Sequence, residues 1–351
     1  MKPWENNIRK AVPYVPGEQP NGERIIKLNT NENPYPPSPR VTEALKRAEA
    51  DRLRRYPDPS AGELVQSIAD FYRVKKEQVF VGVGSDDVLA MCFLTFFNAG
   101  EPILFPDITY SFYDVWAELF RIPYEQIPLD RDFKICAKDY KRPNGGVIFP
   151  NPNAPTGELL PLAVVEEIIQ ASRDVIVIVD EAYIDFGGES ALPLLDKYDN
   201  LLVVQTFSKS RSMAGSRIGF AIGSKELIAY LNDVKYSFNS YTMDAITIVL
   251  GKAAVEDRTY FEQTCQKVME TREWTKEQLR KLGFVFGDSQ SNFLFVTHPN
   301  IEAETLFAAL RGQNIIVRHF SKPERIRNFL RITIGTPEEM QTLVEFLKEY
   351  I

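Results

Sequence analysis

One lysine stands in a run of hydroxyl-bearing and small side chains whose composition suits covalent chemistry. Lys209 lies in residues 206–217 (TFSKSRSMAGSR), and Arg217 follows it eight positions later. An unprotonated lysine amine forms a Schiff base with a carbonyl compound. Small neighbours leave room for a bulky ring, and hydroxyls together with a guanidinium bind phosphate. A single lysine in a serine-rich loop is more often a solvated surface residue, so this interpretation depends on what accompanies it.

A carboxylate follows an uninterrupted apolar stretch upstream of the lysine. Residues 175–179 have the pattern of a buried strand that ends at Asp180, and Tyr183 follows three positions later. Ligands of open parallel sheets bind beyond the carboxyl ends of strands. A carboxylate there keeps a pyridine nitrogen protonated, which makes the ring an electron sink. The alternative is a capping residue or a loop ion pair. Together, Lys209, Asp180 and the phosphate-binding side chains predict a pyridoxal-phosphate (PLP) site.

Two further loops are weak signals by themselves. Residues 82–87 (GVGSDD) join a strand to a helix, and backbone N–H groups at a helix N-terminus bind phosphate. An aspartate there is also a routine cap, and neither nucleotide-binding fingerprint is present. Residues 151–157 (NPNAPTG) form a proline-fixed turn of ordinary turn-forming residues. Each loop indicates a cofactor site only in combination with Lys209.

Composition limits the class of protein. The 351 residues favour two domains over one core. A net charge of −7 and the lack of any run of about 18 apolar residues argue against nucleic-acid or membrane partners, and we expect a cytoplasmic protein because no apolar leader follows Met1. Three scattered cysteines and two histidines argue against a disulfide framework, a metal site and Ser-His-Asp chemistry.

The order of apolar segments predicts an α/β fold. Continuous rather than alternating apolar strands indicate a mostly parallel sheet covered on both faces, and the short strands after residue 270 indicate a separate α+β domain. We therefore expect an N-terminal arm or part of the small domain over residues 1–40, a large domain over 41–270 and a small domain over 271–351. Helices are predicted over residues 41–53, 62–72, 88–97, 109–119, 162–171, 263–282, 303–311 and 337–350. Strands are predicted over residues 79–83, 102–105, 147–149, 175–179, 201–205, 218–222, 284–286, 293–296, 315–317 and 329–334.

These segments resemble, over nearly the whole chain, the fold-type I PLP-dependent aminotransferases, and in finer details the histidinol-phosphate aminotransferases among them. The resemblance implies a large domain with a mostly parallel seven-stranded sheet sandwiched by helices and a smaller α+β domain. It implies that Lys209 holds PLP, that Asp180 pairs with the ring nitrogen and that Tyr183 lies near the ring's 3-oxygen. The other cofactor residues that it implies are Ser85, Asp86, Tyr110, Thr206, Ser208 and Arg217.

One position departs from the family pattern. The family has an asparagine directly before Pro-Thr-Gly, where this chain has Ala154. Either Asn153 makes the hydrogen bond to the 3-oxygen, or the contact is lost and Tyr183 carries more of it. We expect Asn153 to take the role.

Substrate recognition is expected from the C-terminal part of the chain. Arg331 lies inside an apolar strand pattern, so it must be paired or face a cleft, and its planar fork suits carboxylate and phosphate. The resemblance implies a substrate role for it and for Tyr14, Asn31, Asn292 and Arg318. It also implies a homodimer in which Tyr56 reaches the PLP phosphate of the neighbouring subunit. The alternative is a tyrosine that anchors a turn in its own chain.

The implied reaction is transfer of the amino group of histidinol phosphate to 2-oxoglutarate, giving imidazole acetol phosphate and glutamate for histidine biosynthesis. An aromatic amino-acid aminotransferase shares all the cofactor residues, and a PLP decarboxylase of the same fold that acts on a phosphorylated amino acid also stays open. From a different class, a catalytically silent binding module of this fold is less consistent with the intact Lys209, Asp180 and Arg217.

Overall fold

The centre of the protein is a seven-stranded sheet. The computed structural model describes residues 2–20, 22 and 24–351. The strand order is β2-β8-β7-β6-β5-β3-β4. The strands of the described chain are β1 (Ile26–Lys27), β2 (Val79–Val83), β3 (Ile103–Pro106), β4 (Tyr124–Ile127), β5 (Val147–Pro150), β6 (Val177–Asp180), β7 (Leu201–Thr206), β8 (Ile218–Gly223), β9 (Val285–Phe286), β10 (Phe293–Thr297), β11 (Ile315–Ile316), β12 (Arg318–His319) and β13 (Leu330–Thr333). The helices are α1 (Pro39–Lys46), α2 (Gly62–Tyr72), α3 (Gly84–Phe96), α4 (Tyr113–Phe120), α5 (Leu162–Ala171), α6 (Lys225–Phe238), α7 (Ala245–Glu256), α8 (Arg258–Lys281), α9 (Ala303–Gly312) and α10 (Pro337–Tyr350).

Both faces of the large sheet are covered, as the continuous apolar strands predict. Every residue of β6 and β7 is buried, and successive side chains enter two different cores. Val177 and Val179 pack in one core, whereas Ile178 lies in the other, with Leu202. This arrangement explains why the strands lack alternation of apolar and polar residues. The predicted α/β fold with a mostly parallel sheet is therefore confirmed.

One strand runs against the others. β8 pairs antiparallel with both β2 and β7, whereas the remaining neighbours in this sheet are parallel. As a result, the carboxyl ends of β2, β3, β5, β6 and β7 and the amino end of β8 meet at the same edge. Asp86, Asp180, Lys209 and Arg217 all lie at or next to these strand ends.

A second, smaller sheet forms towards the C-terminus. It is antiparallel, with the order β12-β13-β10-β9. β1 pairs in parallel with β11, so residues near position 26 are bound to the C-terminal part of the chain. Leu28 is 1% exposed and belongs to the core of that part. Residues 26–31 are thus packed, although composition alone favoured an extended arm.

Several predicted boundaries are wrong. The helix predicted over residues 41–53 ends at Lys46 and is followed by a short 3-10 turn, Ala50–Arg54. The helix predicted from residue 109 begins at Tyr113, which leaves Tyr110 in a loop. β4, α6 and α7 were not predicted, and α8 begins at Arg258 instead of 263. The domain boundary expected at residue 270 stays a prediction, and that residue lies inside α8. Along residues 2–20, 22 and 24–351, none of the helices combines the length and the apolar character needed to span a membrane.

Candidate active site

A cleft of about 160 Å³ lies between the carboxyl edge of the large sheet and the C-terminal sheet. A wider groove adjoins it, and Tyr14, Tyr110 and Arg318 line both. The cleft lining comprises Tyr14, Gly17, Asn29, Thr30, Asn31, Thr109, Tyr110, Ser111, Ala154, Pro155, Tyr183, Lys209, Arg318, Phe320 and Arg331. The cleft therefore brings together predicted site residues that are far apart in the sequence, namely Tyr14, Asn31, Tyr110, Tyr183, Lys209, Arg318 and Arg331.

Lys209 presents its amine to this cleft. It follows the end of β7, and its Nζ donates to the Thr30 carbonyl at 3.1 Å. The same Nζ lies 5.8 Å from the centre of the Tyr183 ring. Burial, assisted by the nearby Arg331 charge, lowers the pKa of Lys209 to about 8. Among the described residues that line the cleft, Lys209 is the only lysine, and its amine is poised for nucleophilic attack at neutral pH.

The backbone around Lys209 is held from outside its own loop. The Asn33 Nδ2 donates to the Lys209 carbonyl at 3.0 Å, and the Ser210 hydroxyl donates to the Asp185 carboxylate. These contacts fix the chain immediately C-terminal to the Lys209 Cα. The amine can consequently be placed with little loss of conformational entropy on reaction.

Asp180 is the last residue of β6 and is 4% exposed. Its Oδ2 accepts a hydrogen bond from the Tyr113 hydroxyl at 2.8 Å, and its Oδ1 accepts one from the Ala182 N–H at 3.2 Å. Burial raises the pKa of Asp180 to about 6, while both hydrogen bonds oppose that rise. The carboxylate is therefore ionised near pH 7 in an apolar surrounding, which suits pairing with a cationic ring nitrogen.

An ion pair forms one end of the site. The Arg217 Nη2 lies 2.8 Å from the Asp86 Oδ2, and the Tyr110 hydroxyl donates to the Asp86 Oδ1 at 2.6 Å. Asp86 and Ser85 belong to the first turn of α3, where backbone N–H groups have no helical acceptor. Gly84 has φ +84°, and a Cβ there would lie 2.6 Å from the Arg217 Nη2. Glycine is thus needed for both the turn and the approach of the guanidinium.

Two buried hydroxyls precede Lys209, on Thr206 at the end of β7 and on Ser208. The Thr206 Oγ1 donates to the Ser208 Oγ at 3.0 Å and accepts from the Ser208 N–H at 3.1 Å. This local turn holds Ser208, so that both hydroxyls precede the lysine at the same sheet edge as Arg217.

Tyr183 is linked to the N-terminal segment by a hydrogen bond. The Asn31 Nδ2 donates to the Tyr183 hydroxyl at 2.9 Å, and Asn31 itself is held by Thr333, whose hydroxyl donates to the Asn31 Oδ1 at 3.1 Å. The Asn292 Nδ2 donates to the Asn31 carbonyl at 2.9 Å. Asn292 therefore supports Asn31 and does not line the cleft.

Two arginines face each other across neighbouring strands of the C-terminal sheet. Arg331 of β13 pairs in register with Arg318 of β12, and both line the cleft. The Arg331 Nη2 donates to the Asn29 carbonyl at 3.0 Å, whereas its buried Nε has no partner among the residues that the structure describes. Like charges opposite each other on a sheet destabilise it, so an anion between them would relieve the repulsion. Tyr14 lies at the rim and stacks on Phe112 with ring centres 4.1 Å apart.

Asn153 has both side-chain N–H groups engaged within the protein. Its Nδ2 donates to the Ile108 carbonyl at 2.9 Å and to the Thr156 Oγ1 at 3.0 Å. Ala154, not Asn153, lines the cleft. In this arrangement Asn153 holds the proline-rich turn, and Tyr183 is the better placed donor for a ring oxygen.

Tyr56 is exposed and contacts a second tyrosine of its own chain. The side chain is 82% exposed, and its ring stacks on Tyr241 with centres 4.6 Å apart. It does not line the cleft described here.

Sequence reasoning missed three residues that touch the predicted ones. Tyr113 bonds to Asp180, the Thr30 carbonyl accepts from Lys209, and Asn33 holds the Lys209 backbone. Tyr113 begins α4, and nothing in the sequence indicates its contact with Asp180. The backbone contact of Thr30 has no sequence signal.

Comparison with known proteins assigns the family. A family model described as aminotransferase class I and II matches residues 23–347. Histidinol-phosphate aminotransferases from Pseudomonas putida (strain W619) and Lactococcus lactis subsp. cremoris (strain MG1363) are 55% and 52% identical to the chain. The alignments cover 98% and 99% of this chain, and 99% and 98% of those proteins.

Solved structures agree on the fold. A protein from Erwinia carotovora described as a histidinol-phosphate aminotransferase has a TM-score of 0.85 at 23% identity, covering 93% of this chain and 96% of that one. The histidinol-phosphate aminotransferase of Sinorhizobium meliloti, solved with pyridoxal-5'-phosphate, has a TM-score of 0.83 at 22% identity, covering 93% and 92%. The family model that matches residues 23–347 and the relatives at 55% and 52% identity show that the chain belongs to the class I and class II aminotransferases.

Proposed function

We propose that the protein is a PLP-dependent transaminase that transfers the amino group of histidinol phosphate to 2-oxoglutarate. The products are imidazole acetol phosphate and glutamate, and the reaction serves histidine biosynthesis. The observation that carries the proposal is the Lys209 amine, with a pKa of about 8, in a cleft lined by two arginines. The proposal agrees with the names of relatives at 52% and 55% identity.

The residues present fit PLP at three points. The first turn of α3 offers free N–H groups beside Arg217, which together suit a phosphate. The Ser208 and Thr206 hydroxyls add donors at the same edge. Asp180 supplies a buried carboxylate for the ring nitrogen, and Tyr110 and Tyr183 are aromatic residues that line the cleft beside Lys209.

Bound PLP would supply an electron sink for the substrate carbon that carries the amino group. The Lys209 amine would hold the cofactor covalently and, once displaced by substrate, would move the proton at that carbon as a general acid and base. A pKa of about 8 suits this exchange, because general acid–base catalysis is most effective near the working pH. Asp180 would keep the ring nitrogen protonated, and the Asn31 hydrogen bond would orient Tyr183.

Arg331 and Arg318 would read the anionic end of both substrates. Histidinol phosphate has a phosphate and no carboxylate, whereas glutamate has two carboxylates. A guanidinium fork accepts either anion. The unpartnered Nε of Arg331 is a donor that a substrate oxygen would satisfy. We assign Tyr14 to the rim on the substrate side, where it is stacked on Phe112.

We also propose that the active unit is a homodimer in which Tyr56 serves the other site. Tyr56 is exposed and does not line the cleft of its own chain, although the resemblance assigns it to a PLP phosphate. An 82% exposed tyrosine is free to cross an interface and donate to a phosphate oxygen.

A coupled assay tests the reaction. Purified protein with PLP and 2-oxoglutarate would be given histidinol phosphate, phenylalanine or tyrosine, and glutamate would be measured. We expect kcat/KM to be highest for histidinol phosphate. Faster turnover of phenylalanine or tyrosine would instead favour an aromatic aminotransferase. Release of carbon dioxide from a phosphorylated amino acid without glutamate formation would favour a decarboxylase.

Subunit mixing tests the shared site. Tyr56→Asp sets a carboxylate against the phosphate, and Lys209→Ala removes the amine. Mixed under exchange conditions, these two inactive proteins should regain about a quarter of wild-type activity, because half of the dimers are mixed and half of their sites are intact. Tyr350→Asp, at an exposed tyrosine of α10, is the control and should keep full activity alone. Lack of recovery despite demonstrated exchange would place Tyr56 in its own site.

A further inference from the structure

We infer that Tyr113 is a positioning residue that holds the Asp180 carboxylate in the orientation needed by the cofactor's ring nitrogen. The inference rests on the proposed function, since it concerns the partner of Asp180. Tyr113 begins α4, and its hydroxyl lies 2.8 Å from the Asp180 Oδ2. Both residues are buried, at 0% and 4% exposure.

The geometry leaves one role for this hydroxyl. Asp180 receives one hydrogen bond on each oxygen, from Tyr113 on Oδ2 and from the Ala182 N–H on Oδ1. The two donors fix the plane of the carboxylate and still leave a lone pair on each oxygen for a further donor. Burial and the nearby Asp180 charge raise the pKa of Tyr113 far above its ordinary range. The phenol therefore remains a donor at every working pH and takes no part in proton transfer.

The tyrosine ring is anchored independently of its hydroxyl. It packs edge-on against Phe105 and Tyr110, with ring centres 5.8 Å apart in each case. Trp116 and Phe93 complete the same core. A Tyr113→Phe substitution thus removes one oxygen atom and keeps these aromatic contacts.

The loss of that atom has a directional electrostatic consequence. The Tyr113 hydrogen bond lowers the pKa of Asp180, which burial and the Asp86 charge raise. Without it, Asp180 holds its proton to a higher pH, so that the carboxylate available to a cationic ring nitrogen is lost earlier on acidification. PLP affinity should then fall at a higher pH than in wild type.

The test measures the PLP dissociation constant of the apoprotein against pH, with kcat/KM as a second readout. Tyr113→Phe should weaken PLP binding near pH 7 and lower kcat/KM, each roughly tenfold, as expected for a hydrogen bond to a charged group. The acid limb of the binding curve should move to higher pH. Tyr140→Phe is the matched control, because Tyr140 is also fully buried but its hydroxyl has no partner. The control should leave both readouts unchanged.

A double-mutant cycle shows whether Tyr113 acts through Asp180. In an Asp180→Ala background, Tyr113→Phe should have no further effect on PLP affinity. An equal effect in both backgrounds, or wild-type behaviour of Tyr113→Phe, would overturn the inference. If Tyr113→Phe does not fold, difluorotyrosine at position 113 replaces it; its more acidic phenol should shift the acid limb to lower pH, and an unchanged limb would count against the inference. If Asp180→Ala itself binds PLP and turns over like wild type, the proposed function fails instead.

Discussion

The pKa of Lys209 predicts how fast the apoprotein captures its cofactor at different pH values. Only the uncharged amine attacks an aldehyde. With a pKa of about 8, as against an ordinary 10.5, roughly a tenth of Lys209 is uncharged at pH 7. This is roughly 300-fold more than for a solvated lysine. The rate of covalent PLP capture should therefore rise tenfold per pH unit below about pH 8 and level off above it.

The midpoint of this pH–rate curve is the pKa of Lys209, which burial lowers most and which neighbouring charges modify. The Arg331 charge lowers the pKa of Lys209, and the Glu32 charge raises it. Arg331→Met should therefore move the midpoint to higher pH, and Glu32→Gln should move it to lower pH. Glu63→Gln, an exposed carboxylate paired with Lys252, is the control and should leave the midpoint in place.

Stopped-flow absorbance of the Lys209–PLP adduct gives the rate at each pH. A rate that continues to rise beyond pH 10 would refute the reasoning, because it would mean that Lys209 keeps the pKa of a solvated lysine. A shift to lower pH for Arg331→Met, or to higher pH for Glu32→Gln, would show that the named charges do not control the amine.

Three other substitutions follow from the site. At saturating PLP, Asp180→Asn should still carry the cofactor, because the phosphate-binding residues are untouched, but its PLP affinity should be lower and its turnover should fall by orders of magnitude; wild-type kcat would indicate that Asp180 is only a structural cap. Arg331→Lys keeps the charge but loses the planar fork, so the free energies of binding of glutamate and of the phosphorylated substrate should each weaken by about 1.5–3 kcal/mol. If only glutamate binding weakens, Arg318 or Tyr14 would be the better candidate for binding the substrate phosphate. Lys209→Ala should lower kcat by at least roughly 10²–10⁴-fold, measured with saturating PLP, and appreciable residual turnover would contradict the assignment.

The sequence was sufficient for six of the seven strands of the large sheet because those strands are continuous apolar runs. Residues 79–83 were predicted to the residue, and β7 differs by a single position, since both are buried on two faces. Asp180 was expected at the carboxyl end of its strand because that strand is a buried apolar run. The grouping of Lys209 and Arg217 with it was implied by the family resemblance.

Elements with mixed surfaces were harder to identify. α6 and α7 were missed, although each has a capping residue whose side chain accepts backbone N–H bonds, Ser224 and Asp244. β4 was missed because two of its four residues are exposed, at the sheet edge.

Contacts between distant segments were beyond the sequence. The pairing of β1 with β11 brings Thr30 and Asn31 to the cleft, and nothing in either stretch specifies the other. The expectation that Asn153 donates to the 3-oxygen of the ring did not consider the hydrogen bonds inside its own turn. There the side-chain amide of Asn153 donates to the Ile108 carbonyl and to the Thr156 Oγ1. Such hydrogen-bond competition depends on the folded backbone and has no pattern in one sequence.

The central claim is that Lys209 carries the cofactor. Native protein loaded with PLP would be reduced with borohydride, digested and analysed by peptide mass spectrometry. We expect a single pyridoxyl label on the peptide that contains Lys209. A label on a different lysine, or none on a protein that binds PLP, would contradict the account.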